Sequence, residues 1–405
     1  MSVQELTALL LPVAAASGWY AARRHYLHQY RTNFSHPLTQ AYRRGLNYLL
    51  DEKTDKAIAA LAEILEQDAE RMETHITLGN LFRRRGEVEK AIEIHAKLLQ
   101  EPGLTPIQRA RASHELGIDY MRSGLLDRAE SIFTELARSG SHGKVALQRL
   151  LQIYQQQRDW LRAIACVTDL RRQSKPRFGE TVAHFLCELA EEAMAEHRLK
   201  DARDYLSRAL EDDPGSVRAS IAKGRLELGN GEHLKALQTL KDIERQDPAY
   251  LSVVLPLISL CADRLGQGRE LLDYYGQLYA DYGIVSAAVA RAERLQHVEG
   301  IMAAVDYLLP ILEAHPEPLA VARALALLAA DSQHGSGKLR RLSALLNDIM
   351  ADTQQFQCEQ CGFDASELYW RCPSCQYWGS IRPVGPFAAL SVTTLEQDVS
   401  REGSG

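Results

Sequence analysis

Leu78-Gly79-Asn80-Leu81-Phe82-Arg83-Arg84-Arg85-Gly86-Glu87-Val88-Glu89-Lys90-Ala91-Ile92 reads as the end of one helix, a turn at Gly86 and the start of a second helix. Gly79 stands three residues before Phe82 and twelve before Ala91. Small residues at two such points let the helices of a hairpin cross closely, with the aromatic wedged between them. Outward from this stretch, the slot of Ala91 repeats as Ala57, Ala91, Ala129, Ala163, Ala202, Ala236, Glu270, Ala304 and Lys338, at steps of 34, 38, 34, 39, 34, 34, 34 and 34 residues. Four positions after each come Leu61, His95, Phe133, Val167, Leu206, Leu240, Tyr274, Leu308 and Leu342, mostly apolar and on the same helical face. Small first-helix residues recur as Gly45, Gly79, Gly117, Ala190 and Gly224, and Pro214, Pro248 and Pro316 close units where a helix must stop.

A helix hairpin returning every 34 residues is the tetratricopeptide pattern. Residues 38–350 are therefore expected to form an all-α superhelical repeat array of about eight to nine units. Pro/Gly-containing insertions at 101–106 and 174–179 lengthen loops without breaking the stack. The slots at Glu270 and Lys338 predict less regular units, and 331–337 a looser turn. Stacked hairpins curl around a concave face lined by first-helix residues, here Asn80, Arg83, Arg84 and Arg122. These side chains form either a solvated face or an Asn/Arg surface that holds a peptide backbone and an acidic group.

A chain of 405 residues with 46% apolar and 25% charged residues is long for one compact core and suits a repeat array. The net charge of −6 offers no electrostatic footprint for nucleic acid. Of seven cysteines, Cys166, Cys187 and Cys261 lie singly in apolar helical runs and read as buried thiols. Gly335-Ser336-Gly337-Lys338 lacks the Ser/Thr and the earlier Gly of a phosphate loop, and His114-Glu115 has no second His at the zincin spacing. No catalytic constellation is legible, and the chain reads as a non-enzymatic binding scaffold.

Residues 6–22 carry no charge and span roughly 25 Å as a helix, at the short end of what crosses a bilayer. Trp19 and Tyr20 sit at the edge of the run, and Arg23, Arg24 and Arg31 follow it, whereas only Glu5 precedes it. A cleaved signal carries its basic residues on the other side. Residues 1–22 are thus expected to be a transmembrane anchor with its N-terminus outside, followed by a basic juxtamembrane linker, 23–37, and a cytoplasmic remainder. A cleaved signal and a buried core helix are the competing readings.

Beyond residue 355 the helical period stops. Cys358-Glu359-Gln360-Cys361-Gly362 and Cys372-Pro373-Ser374-Cys375 are two C-x2-C knuckles ten residues apart, with Gly362 at a turn position that needs positive φ. Two knuckles close a tetrahedral site with four thiolates and no open position, which is structural rather than hydrolytic. Zinc and a single iron suit the ligands equally, and two disulfides are the alternative. So small a module, 355–385, cannot fold on apolar burial alone and needs the metal. Residues 386–405 are expected to be a flexible tail.

Anchor, basic flank, repeat array and four-cysteine module, in that order, resemble the lipopolysaccharide assembly protein B family of Gram-negative bacteria. The resemblance rests on Leu10-Leu11-Pro12-Val13-Ala14-Ala15-Ala16 and Gly18-Trp19-Tyr20, Leu78 to Arg83 with Arg85 to Val88, and Leu150 to Gln155. In the C-terminal module it rests on Cys358 to Phe363 and Leu368-Tyr369-Trp370 with Cys372 to Cys375. It implies a single-pass inner-membrane protein, N-terminus periplasmic and repeats cytoplasmic, with a rubredoxin-like module whose metal ligands are Cys358, Cys361, Cys372 and Cys375. It further implies an adaptor that works with the membrane AAA protease FtsH to promote degradation of the deacetylase LpxC, and that gathers other lipopolysaccharide assembly and envelope proteins. Homo-oligomerisation stays open. The gap between knuckles is shorter than in free-standing rubredoxins, which weighs against the alternative of electron transfer; a general co-chaperone is the third reading.

Overall fold

A computed structural model of the chain describes residues 53–67, 72–138, 142–173, 179–314, 316–330, 337–351 and 355–384, with residues 19, 20, 22, 23, 44, 45, 47 and 48. Most of the expected anchor, the insertion at 174–178, the turn at 331–336 and the tail lie outside these residues. The chain divides into two compact units, Met1–Ser174 and Lys175–Gly405.

The first unit contains α1 (Thr54–Gln67), α2 (Met72–Arg84), α3 (Val88–Gln100), α4 (Pro106–Arg122), α5 (Leu126–Arg138), α6 (Gly143–Gln157) and α7 (Trp160–Gln173). The second begins with α8 (Gly179–Ala195), α9 (Leu199–Asp212), α10 (Val217–Gly229), α11 (His233–Lys241), the short α12 (Ile243–Gln246) and a 3-10 turn (Pro248–Tyr250). It continues through α13 (Leu251–Leu265), α14 (Gly268–Tyr282), α15 (Val285–Val298), α16 (Ile301–Ala314), α17 (Pro318–Ala330) and α18 (Gly337–Ala351). This is an all-helical tetratricopeptide array. Its insertion at 101–106 ends in a reciprocal cap: Thr105 Oγ1 accepts from Gln108 N while Thr105 N donates to Gln108 Oε1, and Pro106 starts α4.

The repeat is held by one crossing used many times. Ala57, Ala91, Ala129, Ala163, Ala202, Ala236 and Ala304 are all fully buried. A Cβ placed on Gly79 would lie 2.4 Å from His95 Nε2, on Gly117 2.6 Å from Phe133 Cζ, and on Gly224 2.7 Å from Leu240 Cδ2. Each first-helix glycine therefore faces the residue four places after the second-helix alanine, and the missing side chain is what admits the partner. At Glu270, which is exposed, the buried pair is instead Leu271 and Tyr275, one residue further along. Lys338 and Leu342 of α18 are likewise exposed. Among the described residues, 248–265 is one helical stretch long and apolar enough to cross a membrane, but Leu251, Val253, Leu257, Ile258 and Cys261 are fully buried in the repeat core.

In the first unit the crossing at Gly79 continues into a buried polar network. His95 Nδ1 lies 2.5 Å from Asp119 Oδ2, both side chains fully buried. Arg83 donates to Asp119 Oδ1 at 2.7 Å, to Glu115 Oε2 at 2.6 Å and to Asn80 Oδ1 at 2.5 Å. Burial raises the Glu115 carboxyl, but hydrogen bonds from His114 and Arg83 outweigh that and hold it at about 2.

The C-terminal module is a three-stranded antiparallel sheet in the order β2-β1-β3, formed by β1 (Phe356–Cys358), β2 (Asp364–Ala365) and β3 (Ile381–Pro383). Pro383, without an N–H, blunts the outer edge of β3.

Two outcomes follow from this packing. Gly117→Ala gains about 1 kcal/mol of helix propensity but meets the fully buried Phe133 ring, an overpacking that costs about 1–3 kcal/mol; thermal unfolding should show a lower Tm. The stabilisation from Glu115, whose folded pKa is depressed, is complete above the ordinary carboxyl pKa and lost as pH falls from about 4.5 towards 2. Acid unfolding of Glu115→Gln should show reduced pH dependence in that window.

Candidate metal centre and partner-binding face

The two knuckles are built alike. In the first, Gly362 N donates to Cys358 O at 2.9 Å and Cys358 N to Phe363 O at 2.8 Å; in the second, Gln376 N donates to Cys372 O at 2.9 Å and Cys372 N to Tyr377 O at 2.9 Å. The residue after each second cysteine is left-handed, Gly362 at φ +72° as its sequence position predicts and Gln376 at φ 63°. These turns bring the four Sγ atoms of Cys358, Cys361, Cys372 and Cys375 within 4.8 Å of one another. Cys358–Cys375 and Cys361–Cys372 are each 3.7 Å apart between sulfurs. A tetrahedral ion with metal–sulfur bonds of about 2.3 Å separates its ligands by roughly 3.8 Å, so the donor set suits one such ion and not two disulfides.

The thiols also differ in acidity. Burial pushes Cys358 up, but the Ser380 hydroxyl at 3.3 Å and the Cys361 and Gln360 N–H groups bring it down to about 6. The Tyr377 N–H lowers Cys375, yet burial and the neighbouring thiols carry it up to about 12. Once one thiolate forms, the others resist ionising without a cation among them. By contrast Cys166, Cys187 and Cys261 are buried and pushed up to about 11, 12 and 11, which leaves them as inert thiols.

The module is docked on the helices of its own unit. Trp378 stacks on His184 with ring centroids 5.2 Å apart and meets Phe185 edge-on at 5.8 Å, while Trp370 stacks on Tyr250 at 5.8 Å. Tyr250 donates its hydroxyl to Ile381 O at 3.0 Å, and Arg382 pairs with Asp247 and Glu359. Phe356, Cys358, Ala365, Cys372 and Ile381 share one buried apolar cluster with α10, α11, α13 and α14. Burial and the adjacent Arg218 lower His184 to about 3, so the imidazole under Trp378 is neutral. Nothing in the cysteine spacing announces His184, Phe185, Arg218, Asp247 or Tyr250; only an unusual run of exposed-type aromatics around the knuckles hints that the module needs a partner surface.

The four first-helix residues singled out from sequence separate into two kinds. Arg83 is part-buried and held by Glu115 and Asp119, and the part-buried Asn80 accepts from Arg83, whereas Arg84 and Arg122 are exposed on α2 and α4. The structure does not bring all four together as one cationic cluster; the acidic pair from the next repeat neutralises Arg83.

Residues 356–383 match the rubredoxin metal binding domain family, and residues 42–103 and 193–257 match tetratricopeptide repeat families. Among solved structures, a chain from the Naa15/Naa10 complex bound to HypK-THB aligns at TM-score 0.43 and 16% identity, covering 78% of this chain and 47% of that one. The tetratricopeptide protein YrrB, described as having an unusual peptide-binding site, aligns at TM-score 0.32 and 21% identity over 47% of this chain and 93% of its own. Lipopolysaccharide assembly protein B of Escherichia coli (strain K12) is 36% identical over 382 residues, 94% of this chain and 98% of that protein. Its namesake from Haemophilus influenzae is 32% identical over 394 residues with the same coverage. With repeats and metal module both inside these end-to-end matches, the chain belongs to the lipopolysaccharide assembly protein B family.

Proposed function

We propose that the protein is a non-enzymatic, membrane-anchored adaptor in lipopolysaccharide assembly. The observation that carries this reading is the match to proteins of that name along 94% of the chain, in a fold whose architecture is a binding scaffold. In this reading residues 1–22 anchor the chain in the inner membrane, N-terminus periplasmic, and hold the repeats at the cytoplasmic surface, where their effective concentration near a membrane protease is high. Cys358, Cys361, Cys372 and Cys375 hold one iron or zinc ion whose task is structural. The exposed Arg84 and Arg122 contribute charge to a face that receives an acidic segment of a client, with Asn80 and Arg83 fixing the helices beneath it. The partners are the FtsH protease and its substrate LpxC, brought together so that the deacetylase is degraded.

A redox role is the second reading, favoured by the four-thiolate set with Cys361 exposed; it requires a reversible iron couple in the native protein. Affinity capture of the full-length protein from membranes, with partners identified by mass spectrometry, tests the adaptor reading. It should recover a membrane protease and a lipid A pathway enzyme, and Arg84→Glu with Arg122→Glu should reduce the enzyme several-fold while the helical content stays unchanged. Recovery of neither class of partner would overturn the reading.

A further inference from the structure

The repeat makes equivalent positions in the two units directly comparable. Eighteen residues before the second-helix alanine slot lie Glu73, Arg111 and Val145 in the first unit, and His184 and Arg218 in the second. Glu73 and Arg111 have side chains 58% and 47% exposed, and Val145 is 40% exposed. Arg218, on the matching turn of its helix, is 3% exposed, and His184 is half-buried. The same face of the first helix is thus more open at Glu73, Arg111 and Val145 than at His184 and Arg218.

At His184 and Arg218 the metal module covers it. The Trp378 ring lies over His184 and within 5.7 Å of the Arg218 guanidinium, which is itself held by Glu188 and Glu191 at 2.7 and 2.8 Å. Trp370 and Arg382 cover Tyr250. These are the contacts of a ligand in a repeat groove: two aromatic anchors and an arginine paired with Asp247. The seam is not sealed. A cavity of about 340 Å³ remains between module and helices, lined by Glu180, Asp213, Asp247 and Arg382 among others, and His184 Nδ1 and Gln246 Oε1 are buried there without a hydrogen-bond partner. Both anchoring rings also hang from the second knuckle, Trp370 two residues before Cys372 and Trp378 three after Cys375.

We infer that this first-helix face of the second unit is an interaction surface and that the chain's own metal module is its resident, releasable occupant. The module has too small a core to keep its shape without the four-thiolate site, so loss of the metal withdraws both indoles and bares His184, Arg218, Asp247 and Tyr250. A competitor for the bared surface must present the same chemistry, an aromatic side chain next to a guanidinium. The inference rests on the thiolate site proposed above, and one arm of its test leaves the cysteines untouched so that the two can fail separately.

Hydroxyl-radical footprinting of the full-length protein, read by mass spectrometry, tests it with two native tyrosines. Tyr250 is 4% exposed beneath the module, and Tyr275 is fully buried in the repeat core, hydrogen-bonded to Ser259 and the Leu255 carbonyl. Removing the metal with a chelator should raise labelling of Tyr250 several-fold and leave Tyr275 protected. Trp378→Ala with Arg382→Ala should raise Tyr250 labelling in the same way while the metal content stays at its native level. Unchanged Tyr250 in the metal-free protein and in the double variant would overturn the inference, because the module would then not be the releasable cover. A parallel rise at Tyr275, which shares one buried cluster with the module's Phe356 and Ile381, would also overturn it, because loss of the module would then open the repeats themselves and not only uncover their face.

Discussion

Four sulfur atoms within 4.8 Å of one another cannot all carry negative charge unless a cation lies among them, and the C-terminal part of this protein is arranged around that constraint. A bound ion supplies the positive charge that lets all four thiols ionise and closes the knuckles on each other. Trp370, Trp378 and Arg382 then have fixed positions, and through them the module reaches His184, Tyr250 and Asp247 on the helices. A strand register of only three residue pairs between β1 and β3 would be too little to hold such a domain by itself.

The helices answer to a different constraint. Several hairpins close because a glycine on the first helix gives way to a larger side chain on the second, as at Gly117 and Phe133. That crossing is indifferent to what lies on the remaining face of the first helix, so the same scaffold carries unlike surfaces. In the first unit the face keeps Glu73, Arg111 and Val145 open to water; in the second its His184 and Arg218 positions meet Trp378 of the module. A repeat protein can in this way hold a client with one stretch and its own metal domain with another, a division of labour that its uniform period conceals.

Much of this was legible from residue types. The seven alanines, the facing residues four positions on, the thiolate pairs and the positive φ of Gly362 all follow from local rules of spacing and backbone sterics, and the structure has them where the residues say. Other features obey no local rule. Gln376 takes the left-handed position of the second knuckle although it is not a glycine, because the Cys372–Gln376 turn imposes it. The shift from Glu270 to Leu271 preserves an apolar contact at the cost of strict period, which a count of 34 cannot foresee. His95 sits in an apolar slot because Asp119, a residue of the next repeat, completes it. The docking of Ile381 on Tyr250 joins residues 131 apart, and period alone says nothing of which face meets which. For the same reason period alone does not place Glu115 and Asp119 of the following repeat against Arg83.

X-ray absorption of the purified full-length protein, with its metal content measured on the same sample, addresses the central claim most directly. The account predicts one ion per chain surrounded by four sulfur atoms at about 2.3 Å and no lighter ligand. Nitrogen or oxygen in the first coordination sphere, or a metal-free protein whose cysteines are paired as disulfides with the module still folded, would contradict it.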